Sequence, residues 1–146
     1  MALSASRRSR VLTAPPQAVW ELIEDPHHMP RWWPGVTRME GVEGDRWTQV
    51  FTTKRGKPVR ADFHLLASEQ PWRRMWEQEV VGTPFEWVID ESITEIALEP
   101  EGTGTKVTIE IRQKLRGYSR TGGFMAKRAT RTKLDEALEG IARITD

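Results

Sequence analysis

Two charged residues sit where a strand pattern calls for apolar ones. Within residues 71–80, Trp72, Arg74, Trp76, Gln78 and Val80 share one parity. In the following segment, Phe85, Trp87, Ile89, Glu91 and Ile93 share another. If residues 81–84 form a four-residue loop, Val80 faces Phe85, and counting back places Arg74 opposite Glu91. A three-residue loop places Met75 there instead. A cross-strand Arg–carboxylate pair offsets part of the cost of burying either charge. Such a pair closes the polar end of a core, or it holds Arg74 ready to orient a ligand carbonyl or carboxylate, with Glu91 as its support.

Tryptophan is the second conspicuous residue, with Trp20, Trp32, Trp33, Trp47, Trp72, Trp76 and Trp87 falling between positions 20 and 87. Trp47, Trp76 and Trp87 lie on the inferred inner face, so they are read as walls of an aromatic-lined pocket. Phe51, Phe63 and Ile109 join that face by the same parity, and Phe124 is expected near the mouth. Trp32 and Trp33 read as packing at a helix end.

Other chemistries find little support. The chain has no cysteine, which excludes disulfides, thiolate metal sites and cysteine nucleophiles. His27 and His28 are adjacent, so on a helix they point about 100° apart and do not readily share a metal. His64 has the outward parity of its strand. No metal and no cofactor are expected, and the histidines read as solvated. Phosphate-loop, dinucleotide-binding and nucleophile-elbow motifs are absent, and Gly102-Thr103-Gly104 reads as a hairpin turn. The cluster Lys127, Arg128, Arg131 and Lys133 reads as a solvated helix face rather than a nucleic-acid surface, since the net charge is +1.

The elements that must position these residues follow from periodicity. Residues 4–13 read as a strand around Val11 and Leu12. Pro15 and Pro16 open a helix that turns Val19, Leu22 and Ile23 to one side. Asp25-Pro26 opens a second short helix, which Pro30 and Pro34 limit. From Gly35 to Leu115 the period is two, giving six strands with turn residues between them. Ile93 is in phase with Trp87 but Ile96 and Leu98 are not, which places a β-bulge near Thr94-Glu95. From about Ser119 the period becomes 3.6, with Ala126, Thr130, Leu134, Ala137, Leu138, Ile141 and Ile144 in one stripe. An antiparallel sheet of six or seven strands needs its apolar face covered, and the terminal helix is the large element available. The expectation is an α+β, two-layer fold.

With 146 residues, 38% hydrophobic and 29% charged, the chain is long enough for a sizeable core and suits a single domain over residues 1–146. No apolar run approaches the ~20 residues of a membrane span. The start, MALSASRRSRVLTA, lacks an apolar stretch before Pro15, so a secretory leader is not expected. Absence of cysteine suits a reducing cytoplasm, the expected location.

Ala14-Pro15-Pro16-Gln17-Ala18-Val19-Trp20, then Asp25-Pro26 and Arg31-Trp32-Trp33-Pro34-Gly35-Val36, resemble the opening of the polyketide cyclase/dehydrase and lipid-transport family. Leu98-Glu99-Pro100 followed by Gly104-Thr105-Lys106-Val107-Thr108 resembles its last hairpin. This family belongs to the START-like superfamily that includes the birch pollen allergen. The resemblance implies a helix-grip fold with a pocket between the curved sheet and the long C-terminal helix. The family uses one cavity for many tasks, so architecture and pocket location are what it carries over. The expected activity is binding of a hydrophobic or aromatic, lipid- or polyketide-like small molecule. A cyclase or dehydrase is the enzymatic alternative and needs a buried acid or base near a carbonyl. A co-chaperone-like interaction module is a third, and needs a large exposed apolar patch. A homodimer is left open.

Overall fold

The computed structural model describes residues 2–117 and 120–146. The chain runs β1 (Ala2–Leu12), α1 (Pro16–Ile23), a 3₁₀ turn (Pro26–His28), α2 (Met29–Trp32), β2 (Val36–Glu43), β3 (Arg46–Thr52), β4 (Pro58–Glu69) and β5 (Arg73–Glu79). A second 3₁₀ turn (Pro84–Trp87), β6 (Ile89–Glu101), β7 (Gly104–Leu115) and α3 (Arg120–Thr145) follow. The expected switch of period at Ser119 lies outside the described residues.

The start of the chain follows its prolines. Amides of Ala18 and Val19 bond the carbonyl of Pro15, so Pro16 sits in the first helical turn, where its missing N–H costs nothing. The Asp25 carboxylate accepts the His27 amide at 2.9 Å and caps the 3₁₀ turn that Pro26 opens. Pro30 does not limit this turn as expected. It lies in the first turn of α2, so it starts a helix rather than ending one.

Seven strands form one antiparallel sheet in the order β1-β7-β6-β5-β4-β3-β2. Hairpins join neighbours from β2 to β7. Between β6 and β7 the loop is Gly102-Thr103, with Gly102 at φ +58°, a value a side chain rarely accepts. β1 crosses to the far side of β7. α3 packs on β1, β7, α1 and α2, burying Leu134, Ala137, Leu138, Ile141 and Ala142. These join Val107 and Ile109 of the sheet and Trp20 of α1 in one core. This is the α+β helix-grip architecture, a curved sheet held around its last helix.

The segment before β6 departs from expectation. Residues 84–87 are not strand: Pro84–Trp87 is a 3₁₀ turn, and the Thr83 hydroxyl accepts the Phe85 amide at 3.2 Å. Thr83-Pro84 is an N-cap followed by a proline at the first helical position, the same signal as Asp25-Pro26. β6 therefore starts at Ile89. Its register shift falls between Ile89 and Glu91, not near Thr94-Glu95. Downstream of that shift the inward residues are Ser92, Thr94, Ile96 and Leu98; Ile96 and Leu98 face the core as expected, whereas Ser92 and Thr94 take the inward places expected for Glu91 and Ile93.

Candidate functional site

Between the sheet and α3 lies a cavity of about 520 Å³. β3 and β4 give it Phe51, Val59, Ala61 and Phe63, which alternate inward as period two requires. β5 adds Trp76, and Trp33 closes the end beside α2. The two indoles meet edge to face, with ring centroids 6.3 Å apart. Behind them, Trp47 stands edge-on to Trp76 at 6.0 Å and stacks over Phe63 at 6.4 Å with an interplanar angle of 11°. Edge-to-face and offset contacts of this kind add to area burial and fix ring positions. The aromatic wall is thus braced from behind.

The opposite wall is mixed. Ser92 and Thr94 of β6 and Gln113 of β7 face the cavity, and Gln113 Nε2 contacts Ser92 Oγ at 3.2 Å. Gln78 of β5 also lines it, and its Nε2 is buried without a hydrogen-bond partner among the described residues. α3 presents Ala126, Ala129, Thr130 and Lys133. Lys133 reaches the wall from the rim, where it also lines a groove beside Pro34 and Gly35. As a residue it remains exposed. Burial of its amine draws the ammonium below the ordinary lysine value, and Glu136 only partly pulls it back.

Of the residues expected at the site, Phe51, Phe63 and Trp76 stand on the cavity wall. Trp47 and Ile109 are inward but sit in the core rather than on the wall. Trp87 is a correction: carried on the 3₁₀ turn, it is 79% exposed. Phe124, expected near the mouth, is 61% exposed and is not on the wall, where Ala126 stands.

The Arg74–Glu91 pair does not form. The connection is not a four-residue loop but residues 80–88, so Arg74 pairs in register with Ile96, and Glu91 with Lys114 of β7. Glu91 lies 3.4 Å from the Lys114 ammonium. Arg74 is buried, and its Nη1 donates to Ser68 Oγ at 3.0 Å. Burial lowers the affinity of its guanidinium for the proton, opposed by the carboxylates of Glu24 and Asp25. It is a buried charge at the α1 end of the core, away from the cavity wall.

Sequence reasoning passes over Trp33, Gln78, Ser92, Thr94 and Lys133. Gln78 has the right parity, but its polarity argues against a place on an apolar wall. Lys133 reads as one of the solvated cations of α3, yet it stands three residues after Thr130 on the same face. Among the described residues no group of three or more His, Cys, Asp or Glu side chains could hold a metal. No described helix is long and apolar enough to cross a membrane.

The fold matches what comparison with known proteins finds. The profile of a family described as polyketide cyclase / dehydrase and lipid transport matches residues 5–144, and the chain belongs to this family. No curated protein matches it. Among solved structures, one from Thermus thermophilus is 24% identical, with a TM-score of 0.72 over 96% of this chain and 95% of that one. Ara h 8.0201 is 14% identical, with a TM-score of 0.77 over 99% and 98% of the two chains. The di-domain ARO/CYC StfQ from the steffimycin biosynthetic pathway is 10% identical, with a TM-score of 0.80 over 98% of this chain. This chain spans 51% of StfQ, about one half of the di-domain. At these identities the likeness is one of fold.

Proposed function

We propose that the protein binds a hydrophobic or aromatic small molecule in the cavity between its sheet and α3. The observation that carries this reading is the wall itself. Trp33, Phe51, Phe63 and Trp76 surround a space of about 520 Å³, within the range of small-molecule sites. A cyclase or dehydrase needs acid and base groups converging on a carbonyl. Among the described residues of the wall, Lys133 is the one ionisable side chain, which favours binding over proton-transfer chemistry. A protein-interaction module finds less support, because the outer sheet face carries ion pairs, such as Arg60 with Glu40 and Arg73 with Glu95.

The test uses N-phenyl-1-naphthylamine, an uncharged aromatic probe. Its fluorescence should rise on binding while emission from Trp33 and Trp76 is quenched. Ala61→Phe places a ring in the cavity and should abolish both signals without unfolding the protein. Unchanged binding by that variant, or no binding by the parent, rejects the reading.

A further inference from the structure

The cavity wall holds one amine and no carboxylate among its described residues, and that asymmetry has chemical content. Several cations elsewhere are closely paired, such as Arg8 with Asp135 at 2.9 Å, Arg60 with Glu40 at 2.9 Å and Lys114 with Glu91 at 3.4 Å. Lys133 has no such partner within ion-pair distance among the described residues. It nevertheless stands where desolvation disfavours its charge. Glu136, the carboxylate that acts on it, lines the outside groove and not the cavity.

A second donor lies on the same wall. Gln78 Nε2 is buried and makes no hydrogen bond within the described protein. A buried amide N–H left unpaired is costly. Gln49, also on the wall, directs its amide to Met29 Sδ at 3.1 Å, and Gln113 is held by Ser92. Lys133 is thus the one charged donor on the wall among the described residues.

We infer that the ligand is an amphipathic aromatic acid: an apolar body held between Phe51, Phe63 and Trp76, and an anionic oxygen, carboxylate or phenolate, paired with Lys133 at the rim. The inference rests on the binding function proposed above and specifies its ligand class. A cationic ligand finds no counter-charge on this wall and meets the Lys133 ammonium instead. Because Lys133 borders both the cavity and the groove at Pro34 and Gly35, the acid group stays near water while the rings are buried. That arrangement avoids the full cost of burying an ion pair.

The experiment compares 6-hydroxy-2-naphthoate with its methyl ester, two probes of the same aromatic frame that differ in the carboxylate charge. Isothermal titration should show the parent preferring the acid by about tenfold, the scale of one partly solvated charge-assisted hydrogen bond. Lys133→Met should erase that preference by weakening the acid alone, and Lys133→Arg should retain it. Lys133 makes no structural ion pair, so both variants should keep the parent's circular dichroism and melting temperature. Lys133→Gln serves in the same role should the Met variant not fold. Equal binding of acid and ester by the parent, or a preference that survives in Lys133→Met, overturns the inference while leaving the cavity as a binding site. Failure of the acid, the ester and the uncharged naphthylamine alike overturns both.

Discussion

A β-carbon on Gly140 of α3 would stand 2.7 Å from the carbonyl oxygen of Trp32 and 3.0 Å from its Cα. The last helix therefore lies against the backbone of α2, and this contact sets how deeply it seats in the sheet. In an open helix Gly→Ala gains about 1 kcal/mol. Here the added methyl pushes α2 away, and overpacking costs about 1–3 kcal/mol. Because the short contacts are to backbone atoms of Trp32, the cost falls in the upper part of that range, and Gly140→Ala should lower stability by about 1–2 kcal/mol net in urea denaturation. A gain in stability would show that α2 yields freely.

Trp76, ahead of the 80–88 connection, and Trp87, within it, should respond in opposite ways to truncation. Trp76 is 2% exposed and packs against Trp33 and Trp47. Trp76→Ala should cost about 3–5 kcal/mol, as large-to-small changes of buried aromatics do. Trp87 is 79% exposed, and Trp87→Ala should stay within about 0.5 kcal/mol of the parent. Comparable losses in chemical denaturation would place Trp87 in the core after all.

On the outer face, Glu40 of β2 accepts from Arg60 Nε of β4 and from Arg38 Nε of its own strand, each at 2.9 Å. Arg60 and then Arg38 hold its carboxyl down at about 2. A carboxyl lowered in the folded state contributes stability above its unfolded value. That contribution fades as pH falls from the ordinary glutamate value of about 4.3 toward 2. Glu40 is partly exposed at the surface, so the check is a titration and not a stability figure. Carbon-detected NMR should follow its carboxyl to a midpoint near 2 in the parent and to a higher midpoint in Arg60→Ala. An unshifted midpoint in that variant would remove Arg60 as the main cause.

The sequence displays most of this fold because β3, β4 and α3 each bury one face, and burial imposes a period. Trp47, Phe51, Ala61 and Phe63 alternate inward as read, and Leu134, Leu138 and Ile141 form the buried stripe of α3. β6 misleads because a cavity does not demand apolar walls. Ser92 and Thr94 point inward while Ile93 sits on the other face, pairing with Glu77. An apolar rule applied there selects the wrong face, and with it the supposed Arg74–Glu91 pair. The cap signal Thr83-Pro84 competes with an apparent alternation from Phe85 to Ile93, and the local helical signal wins. Lys133 is hidden by its charge, which composition assigns to the solvent.

Pairing between β5 and β6 ends at Glu77 and Ile93, and Gln78 and Ile89 continue the cavity wall on either side of the gap. The 80–88 connection spans it, and several of its bonds are its own: Thr83 amide to Val80 carbonyl, Glu86 amide to Thr83 carbonyl, Val88 amide to Phe85 carbonyl. Opening this seam costs a few local bonds and the small cluster of Val80, Phe85, Ile89 and Leu115, far less surface than global unfolding exposes. Its amides should exchange with deuterium at rates that depend only weakly on low urea, since the slope with denaturant scales with surface exposed. Amides of Ile96 and Ile109, fully buried in the middle of the sheet, should exchange only through global unfolding and steepen with urea. Under the binding function proposed above, a guest passing through this seam would enter and leave at a rate set by local opening, so that variants raising the melting temperature elsewhere would leave its residence time unchanged.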